Sequence, residues 1–195
     1  NERLAEKEKN KINLVYLSNI ISSKGIFELI DAFEVLSKTH ENIHLNIAGG
    51  YIADEYLSID KVRKKFEQKI SLSNRITYTG KIFEREKVAL LQKSDIFILP
   101  SYYKSEAFPI SIIEAMACKN AIVTTNYKYL PEVVGEKNGV LVNPKSVESL
   151  IEGVEILLND IEKLRKIQAH NKVEAQNKYS LNQYLKNLNE IVMEK

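Results

Sequence analysis

The sequence has a single cysteine, no tryptophan and no long uninterrupted apolar run. One cysteine, Cys118, cannot form a disulfide framework within the chain, so a reducing compartment is the simplest setting. No window approaches the roughly 20 apolar residues that a membrane-spanning helix needs, and the charged segment 1–11 lacks the pattern of a signal peptide. These absences argue against a disulfide-stabilised secreted domain and lead us to expect a cytoplasmic protein.

An excess of charge of one sign is also lacking. The 28 Lys and Arg residues nearly balance the 26 Asp and Glu residues, which leaves a formal net charge of +2. Because so balanced a chain gives no electrostatic indication of a nucleic-acid groove, we expect no nucleic-acid partner. With 195 residues, 44% hydrophobic and 28% charged, the composition is that of an ordinary globular domain with a sizeable core.

Short apolar runs rich in β-branched residues alternate with segments of helical periodicity from Ile12 to Val142. After residue 146 the pattern is helical only. Because strand and helix alternate regularly, the predicted fold class is α/β, with three layers and a mostly parallel six-stranded sheet. The predicted strands are 12–18, 43–48, 75–79, 95–99, 121–124 and 139–142, and the helices between them are 24–40, 54–72, 84–92, 109–118 and 131–134.

Three segments are predicted along the chain. Residues 1–11 alternate acid and base with almost no apolar content and are predicted to be a linker. Residues 12–178 form one predicted domain, and residues 179–195 form a predicted C-terminal helix. The Tyr179-Ser180 pair marks the boundary between the two.

The loop after the first strand, residues 18–25, leads into the first predicted helix, whose first turn contains Lys24. Ligands of open parallel sheets bind beyond the carboxyl ends of the strands, so chemistry is expected in such loops. A helix N-terminus presents unpaired N–H groups and partial positive charge, and an adjacent lysine makes it suited to phosphate. A serine-capped helix with a solvated lysine is the alternative interpretation.

A second such loop, residues 100–108, precedes a helix in which Pro109 occupies the predicted first position. The residue before it cannot cap, so the first-turn amides are left for water or an anionic ligand, and Ser111 could add a hydroxyl. Glu106 and Glu114 lie at one end of this element and could bracket a ligand of sugar size, because carboxylates accept hydrogen bonds from vicinal hydroxyls. A plain loop acid and a solvated helix residue are the alternatives.

Strong nucleotide and metal signatures are lacking. The sequence contains neither a P-loop nor a G-x-G-x-x-G fingerprint. Its three histidines have no Cys, Asp or Glu partners at metal-binding spacing, and no Asp-x-Asp pair occurs. We therefore expect no metal and no other resident cofactor.

The segment from Ser105 to Ala117 reads SEAFPISIIEAMA. It resembles the E-x7-E signature in the C-terminal, donor-binding domain of the GT-B glycosyltransferases of family 4 (glycosyl transferases group 1). The likeness extends over about residues 12–158 and implies a Rossmann-like domain that forms one half of a GT-B fold. The other matching segments follow in the family's order, at 17–25, 45–50, 76–80, 94–101 and 131–139.

The resemblance implies a retaining transfer of a sugar from a nucleotide-diphosphate donor, without metal, to a saccharide or lipid-linked acceptor in polysaccharide or glycoconjugate biosynthesis. Glu106 would hold donor-sugar hydroxyls, Glu114 would hold ribose hydroxyls, and Lys24 would neutralise the leaving diphosphate. Glu106 and Lys24 are thus the expected catalytic residues. The other expected contacts are a phosphate-binding segment, Phe108, Pro109, Ile110 and Ser111, and a base-binding segment, Lys81 and Ile82.

The sequence departs from the family pattern at Asn19, where a basic Arg usually lies five residues before the lysine. The expected donor site therefore lacks one positive charge, and such a loss costs about 10²-fold in rate if nothing replaces it. We expect another cation, Lys81, Arg85 or Lys104, to substitute. The loop 125–130 also lacks the paired glycines that are frequent there.

The resemblance also implies a partner domain, because such enzymes work in a cleft between two Rossmann-like domains. The acceptor-binding, N-terminal half is absent from these 195 residues. We therefore expect the isolated domain to bind nucleotide or nucleotide-sugar weakly without useful turnover, and expect contact with the inner face of a membrane only through the missing half. Two alternatives stay open: half of a non-hydrolysing sugar-nucleotide epimerase, and a degenerate module that only binds a nucleotide or a partner.

Overall fold

The computed structural model describes residues 11–106, 109–180 and 182–183. Six strands form one sheet in the order β3-β2-β1-β4-β5-β6, and every neighbouring pair is parallel. The predicted Rossmann-like α/β class with a six-stranded sheet is confirmed. The strands are β1 (Ile12–Leu17), β2 (Ile43–Ala48), β3 (Ile76–Tyr78), β4 (Ile96–Leu99), β5 (Ala121–Thr125) and β6 (Gly139–Val142).

Helices cover both sides of this sheet. A short 3₁₀ turn, Ser22–Lys24, precedes the first of them. The predicted linker over residues 1–11 and the predicted C-terminal helix over residues 179–195 lie almost wholly outside the described residues. The helices are α1 (Ile26–Thr39), α2 (Ile59–Ile70), α3 (Glu84–Lys93), α4 (Ile110–Ala117), α5 (Leu130–Val133), α6 (Val147–Leu158) and α7 (Ile161–Tyr179).

The central strands are apolar throughout because helices exclude water from both of their faces. Every residue of β4 and of β5 is buried. Close approach of the helices requires small residues at some positions: a Cβ atom on Gly153 of α6 would collide with the side chain of Val142 in β6. The core is therefore one continuous layer on each side of the sheet.

Two predicted positions at helix starts near the carboxyl ends of the strands are wrong by one or two residues. Lys24 lies in the 3₁₀ turn and not in the first turn of α1, because Gly25 adopts a left-handed conformation (φ 73°) that separates the two. Pro109 is the N-cap of α4 and not its first helical residue, since its ψ of 83° lies outside the helical range.

The start of α2 differs more. The periodicity predicts a helix from residue 54, but α2 begins at Ile59. The Asp54 carboxylate accepts hydrogen bonds from the backbone N–H groups of Tyr56 (2.9 Å) and Leu57 (3.0 Å). An aspartate that binds the backbone two or three residues later closes a turn in competition with a helix, so residues 54–57 leave the helical path.

Buried polar groups fasten α7 to the sheet. Asn171 is fully buried and donates hydrogen bonds to the backbone oxygens of Asn120 (2.7 Å) and Asn138 (2.8 Å). One turn earlier, Gln168 donates to the backbone oxygen of Asp95 (2.9 Å). These three acceptors immediately precede β5, β6 and β4, so α7 is held at the amino ends of the strands and leaves their carboxyl ends uncovered by these contacts.

We predict that Asn171→Ala lowers the free energy of unfolding by about 1–3 kcal/mol, because it leaves buried backbone oxygens without this donor. The control Gln176→Ala removes an exposed amide from the same helix and is expected to change stability by less than about 0.5 kcal/mol. Urea denaturation followed by circular dichroism measures both values. Equal stability of the two variants would contradict the anchoring role of Asn171.

Candidate functional site

The loops after β1 and β4 meet at the point where the strand order reverses. β1 lies between β2 and β4, so consecutive connections leave it in opposite directions and open a crevice beyond its carboxyl end. A Cβ atom on Gly25 would collide with the backbone oxygen of Pro100, so only glycine permits this approach. The Tyr102 N–H donates to the Ser23 oxygen (2.8 Å), which joins the two loops.

An ion pair spans this junction. The Lys24 ammonium lies 2.9 Å from one Glu106 carboxylate oxygen and 2.8 Å from the other. The Ser101 hydroxyl donates to the same carboxylate (2.6 Å), and Glu106 is only 8% exposed. The two residues predicted to be catalytic are therefore in direct contact, and the ion pair together with two hydrogen bonds, one from Lys24 and one from Ser101, fixes the Glu106 carboxylate in one orientation.

A cleft of about 270 Å³ opens beyond the carboxyl ends of β1 and β2. The Gly49-Gly50 pair after β2 is part of its lining. The Tyr16 hydroxyl donates to the Asn19 oxygen (2.8 Å) beside it, and burial raises the pKa of this phenol, so it stays neutral. The cleft brings together five residues predicted from separate parts of the sequence: Asn19, Lys81, Ile82, Ser111 and Glu114.

Sequence reasoning missed one cation of this cleft. Lys87 of α3 donates to the Glu114 carboxylate over 2.6 Å, and each side chain is about one third exposed (33% and 34%). Glu114 is thus a partly buried acid with a basic partner, and not the solvated helix residue of the alternative interpretation. The two residues belong to different helices, so no local sequence signal joins them.

Of the three cations expected to replace the missing Arg, Lys81 lines the cleft beside Asn19. Arg85 lies with Lys87 and Glu114 along an adjoining groove of α3. Lys104 is exposed and pairs with Glu55 over 2.7 Å. Of these three residues, Lys81 is therefore the one that lines the cleft. Lys87, which the sequence analysis did not name, lines it as well.

The start of α4 borders the same cleft through Ser111. No side-chain hydrogen bond caps this helix in the part of the chain that the structure describes, as the sequence predicts. The Ile112 N–H donates to the Pro109 oxygen (2.9 Å), which leaves the N–H groups of Ile110 and Ser111 as the candidates for an anion. Pro109 is buried and the Ile110 side chain is 65% exposed, while Phe108 lies outside the described residues.

The turn around Asp54 holds the Lys24 loop from the other side. One Asp54 carboxylate oxygen accepts from both the N–H (2.7 Å) and the hydroxyl (2.6 Å) of Ser23, the residue before Lys24. Burial alone would raise the pKa of Asp54, but the hydrogen bonds from Ser23, Leu57 and Tyr56 outweigh it and hold the pKa below 3.8. The aspartate is therefore ionised at neutral pH and helps to position Lys24.

The described residues contain neither a metal-binding cluster nor a membrane-spanning helix. No three His, Cys, Asp or Glu side chains among residues 11–106, 109–180 and 182–183 come together as a metal site. In the same ranges, no helix combines the length and the apolar character needed to cross a membrane.

The chain belongs to the family described as glycosyl transferases group 1, whose sequence profile matches residues 2–173. The glycosyltransferase MJ1069 of Methanocaldococcus jannaschii, itself uncharacterized, is 33% identical over 171 residues, which cover 87% of this chain and 42% of that protein. A glycogen synthase of Mycobacterium tuberculosis is 32% identical over 148 residues, 75% of this chain and 34% of the synthase. The chain thus spans less than half the length of these relatives.

Solved structures agree with this membership. The C-terminal domain of a glycosyl transferase group 1 family protein, LpcC of Francisella tularensis, superposes with a TM-score of 0.71 at 26% identity and 87% coverage of both chains. Anabaena HepE in complex with UDP superposes with a TM-score of 0.80 at 22% identity, over 95% of this chain and 50% of that one, a likeness of fold. The predicted family resemblance is confirmed, and the family is one of transferases rather than epimerases.

We predict that Asp54→Asn destabilises the protein by about 1–2 kcal/mol at pH 7, through loss of charge-assisted hydrogen bonds. The folded-state pKa of Asp54 is depressed, so its contribution is full above the unfolded-state pKa of about 4 and disappears as the pH falls through the lower folded-state value. Denaturation of both proteins between pH 7 and pH 2.5 measures the difference. A difference that stays constant over this range would contradict the prediction.

Proposed function

We propose that this chain is the donor-binding domain of a retaining glycosyltransferase that uses a nucleotide-diphosphate sugar. The observation that carries the proposal is the junction at the strand-order reversal, where the Lys24–Glu106 pair lies in the loops beside a cleft lined by Asn19, Lys81, Ser111 and Glu114. The E-x7-E resemblance gives these residues their expected roles, and their arrangement at the carboxyl ends of parallel strands supports those roles.

The charges of the cleft suit the parts of such a donor. Glu114 would accept hydrogen bonds from the two ribose hydroxyls, and backbone near Lys81 and Ile82 would meet the base. The N–H groups of Ile110 and Ser111 at the start of α4 and the ammonium of Lys81 would face the diphosphate. This division places acceptor groups against hydroxyls and donor groups against phosphates.

Lys24 and Glu106 would act on the other side of the diphosphate. A lysine ammonium has three donor hydrogens, so Lys24 can keep its bonds to Glu106 and still donate to a phosphate oxygen. Glu106 would accept a hydrogen bond from a donor-sugar hydroxyl. As the bond between the sugar carbon and the phosphate oxygen breaks, negative charge grows on the departing nucleoside diphosphate, and Lys24 would stabilise it.

The departure from the family at Asn19 fits this scheme if cations from other elements compensate. Lys81 and Lys87 both line the cleft that contains Asn19. Lys87 is held by Glu114, so its charge stays at the cleft. We propose that these two lysines supply the positive charge that the usual Arg would supply and that no divalent metal takes part.

The whole protein's activity is part of the proposal. Similar proteins include a glycogen synthase and a Campylobacter jejuni N-acetylgalactosaminyltransferase whose name specifies a diphospho-undecaprenol substrate. Anabaena HepE, of the same fold, was solved with UDP and glucose. We infer transfer to a saccharide or lipid-linked acceptor in the cytoplasm, completed by an acceptor-binding domain outside these 195 residues, and therefore no useful turnover by the isolated chain.

We predict that the chain binds UDP, GDP or one of their sugars with a millimolar or tighter dissociation constant, and that Glu114→Gln weakens this binding about tenfold through loss of a charged acceptor. Isothermal titration calorimetry measures both. The matched control is Glu162→Gln, which breaks an ion pair of the same 2.6 Å length between Glu162 and Lys166 on α7. Absence of heat with every nucleotide, or equal affinity of the two variants, would contradict the proposed function.

A further inference from the structure

A second set of charged and aromatic side chains lies beside Glu106, outside the donor cleft. The loops after β2, β4, β5 and β6 all contribute to it, because the carboxyl ends of parallel strands share one edge. We call it the cationic–aromatic patch. Its members are Tyr56, Tyr102, Lys104, Tyr127, Lys128 and Lys145.

Two tyrosine rings form the centre of the patch. Tyr56 and Tyr102 contact edge to face, with ring centroids 6.0 Å apart and planes at 75°. The Tyr102 hydroxyl donates to Glu28 (3.1 Å), which fixes this buried ring. Tyr56 is 46% exposed, so part of its ring is open to solvent, and its hydroxyl accepts a hydrogen bond from Lys145 (3.5 Å).

Lysines from three loops surround these rings. The Lys145 ammonium lies 5.3 Å from the Tyr56 centroid and 4.9 Å from the Tyr102 centroid. Lys128 donates to the backbone oxygen of Lys104 and lies 5.8 Å from the Tyr127 centroid. The ammonium groups of Lys128 and Lys145 each lie over a ring, which attracts a cation without neutralising its charge.

The charge of the patch is not balanced. Lys104 has a carboxylate partner, Glu55. Lys128 and Lys145 have none among the residues that the structure describes, and both are exposed. Both also have left-handed backbone, with φ of 49° and 61°, a conformation costly for lysine that recurs at functional sites. Two cations without a carboxylate partner among the described residues, beside a solvent-facing ring, can therefore take an anion attached to a sugar-sized body.

The position of the patch connects it to the transfer site. Lys104 lies in the same loop as Glu106, two residues before it, and the ring of Tyr103, the residue before Lys104, lies 5.4 Å from the Lys24 ammonium. The patch is small and the chain's net charge is only +2, so an extended polyanion such as nucleic acid is a poor fit. A saccharide with one or two negative groups matches its size and charge.

We propose that the cationic–aromatic patch binds an anionic saccharide, one that carries a carboxylate or a phosphate, next to Glu106. The inference rests on the proposed function, which makes Glu106 the place where donor sugar and acceptor meet. The saccharide is then either the acceptor or the sugar of the donor, and in both cases Lys128 and Lys145 distinguish it from a neutral one.

The test is calorimetry of the 195-residue chain with three probes: a hyaluronan tetrasaccharide (carboxylate), mannose 6-phosphate (phosphate) and neutral maltotetraose. We expect at least one charged probe to bind more tightly than maltotetraose and its affinity to fall as salt rises. Lys128→Gln/Lys145→Gln should weaken that binding about tenfold. The control Lys163→Gln/Lys166→Gln removes the same charge from the exposed face of α7 and should leave binding unchanged.

Titrations with UDP-glucose and UDP-glucuronic acid separate the two sources. If the patch holds the donor sugar, the Lys128→Gln/Lys145→Gln variant loses affinity for UDP-glucuronic acid and keeps its affinity for UDP-glucose. If the patch holds the acceptor, the variant keeps its affinity for both nucleotide-sugars and loses affinity for the free charged probe. Both outcomes support the proposal.

Equal binding of charged and neutral probes, equal losses in the two double variants, or binding only to phosphatidylglycerol vesicles would overturn the proposal. Wild-type affinity for UDP or GDP is measured in the same series. Binding of a charged probe without any nucleotide binding would contradict the proposed function alone. Nucleotide binding without binding of any charged probe would contradict the proposed saccharide site alone.

Discussion

The close approach of two loops, one after β1 and one after β4, is the contact on which the rest of the site depends. It requires a glycine, Gly25, because any side chain there would collide with the backbone at Pro100. Once the loops touch, Lys24 and Glu106 fall within hydrogen-bond distance of each other although 82 residues separate them. The strand order creates this junction, since β1 and β4 are neighbours in the sheet and not in the sequence.

Burial of Glu106 makes this pair more than a surface ion pair. A carboxylate that is 8% exposed is costly unless charge and hydrogen bonds compensate it, and here Lys24 supplies an ion pair and one hydrogen bond and Ser101 supplies a second hydrogen bond. Loss of either partner leaves the other in an unfavourable environment. The same contacts hold the carboxylate in one orientation before any substrate arrives, which is the preorganisation that a transfer site needs.

The fold follows closely from sequence periodicity, because buried parallel strands are continuous apolar runs and amphipathic helices keep their 3.6-residue period. Helix starts were less predictable where a single side chain or φ angle decides them, as at Asp54 and Gly25. A motif and the position after strands were enough to name candidate residues that the fold brings together, five of them in one cleft and two in one ion pair, and their roles stay a prediction. The Lys87–Glu114 pair could not, because only the packing of α3 beside α4 brings it together.

The buried contacts that anchor α7 and the candidate functional site lie at opposite ends of the strands. Asp95, Asn120 and Asn138, at the amino ends of strands, are tied to α7 by buried hydrogen bonds. The carboxyl ends carry the donor cleft, the Lys24–Glu106 pair and the cationic–aromatic patch. Exposed loop residues such as Lys128 and Lys145 can therefore change without disturbing the anchors of α7. The exposed loop residues are thus free to vary while the Lys24–Glu106 ion pair keeps its geometry.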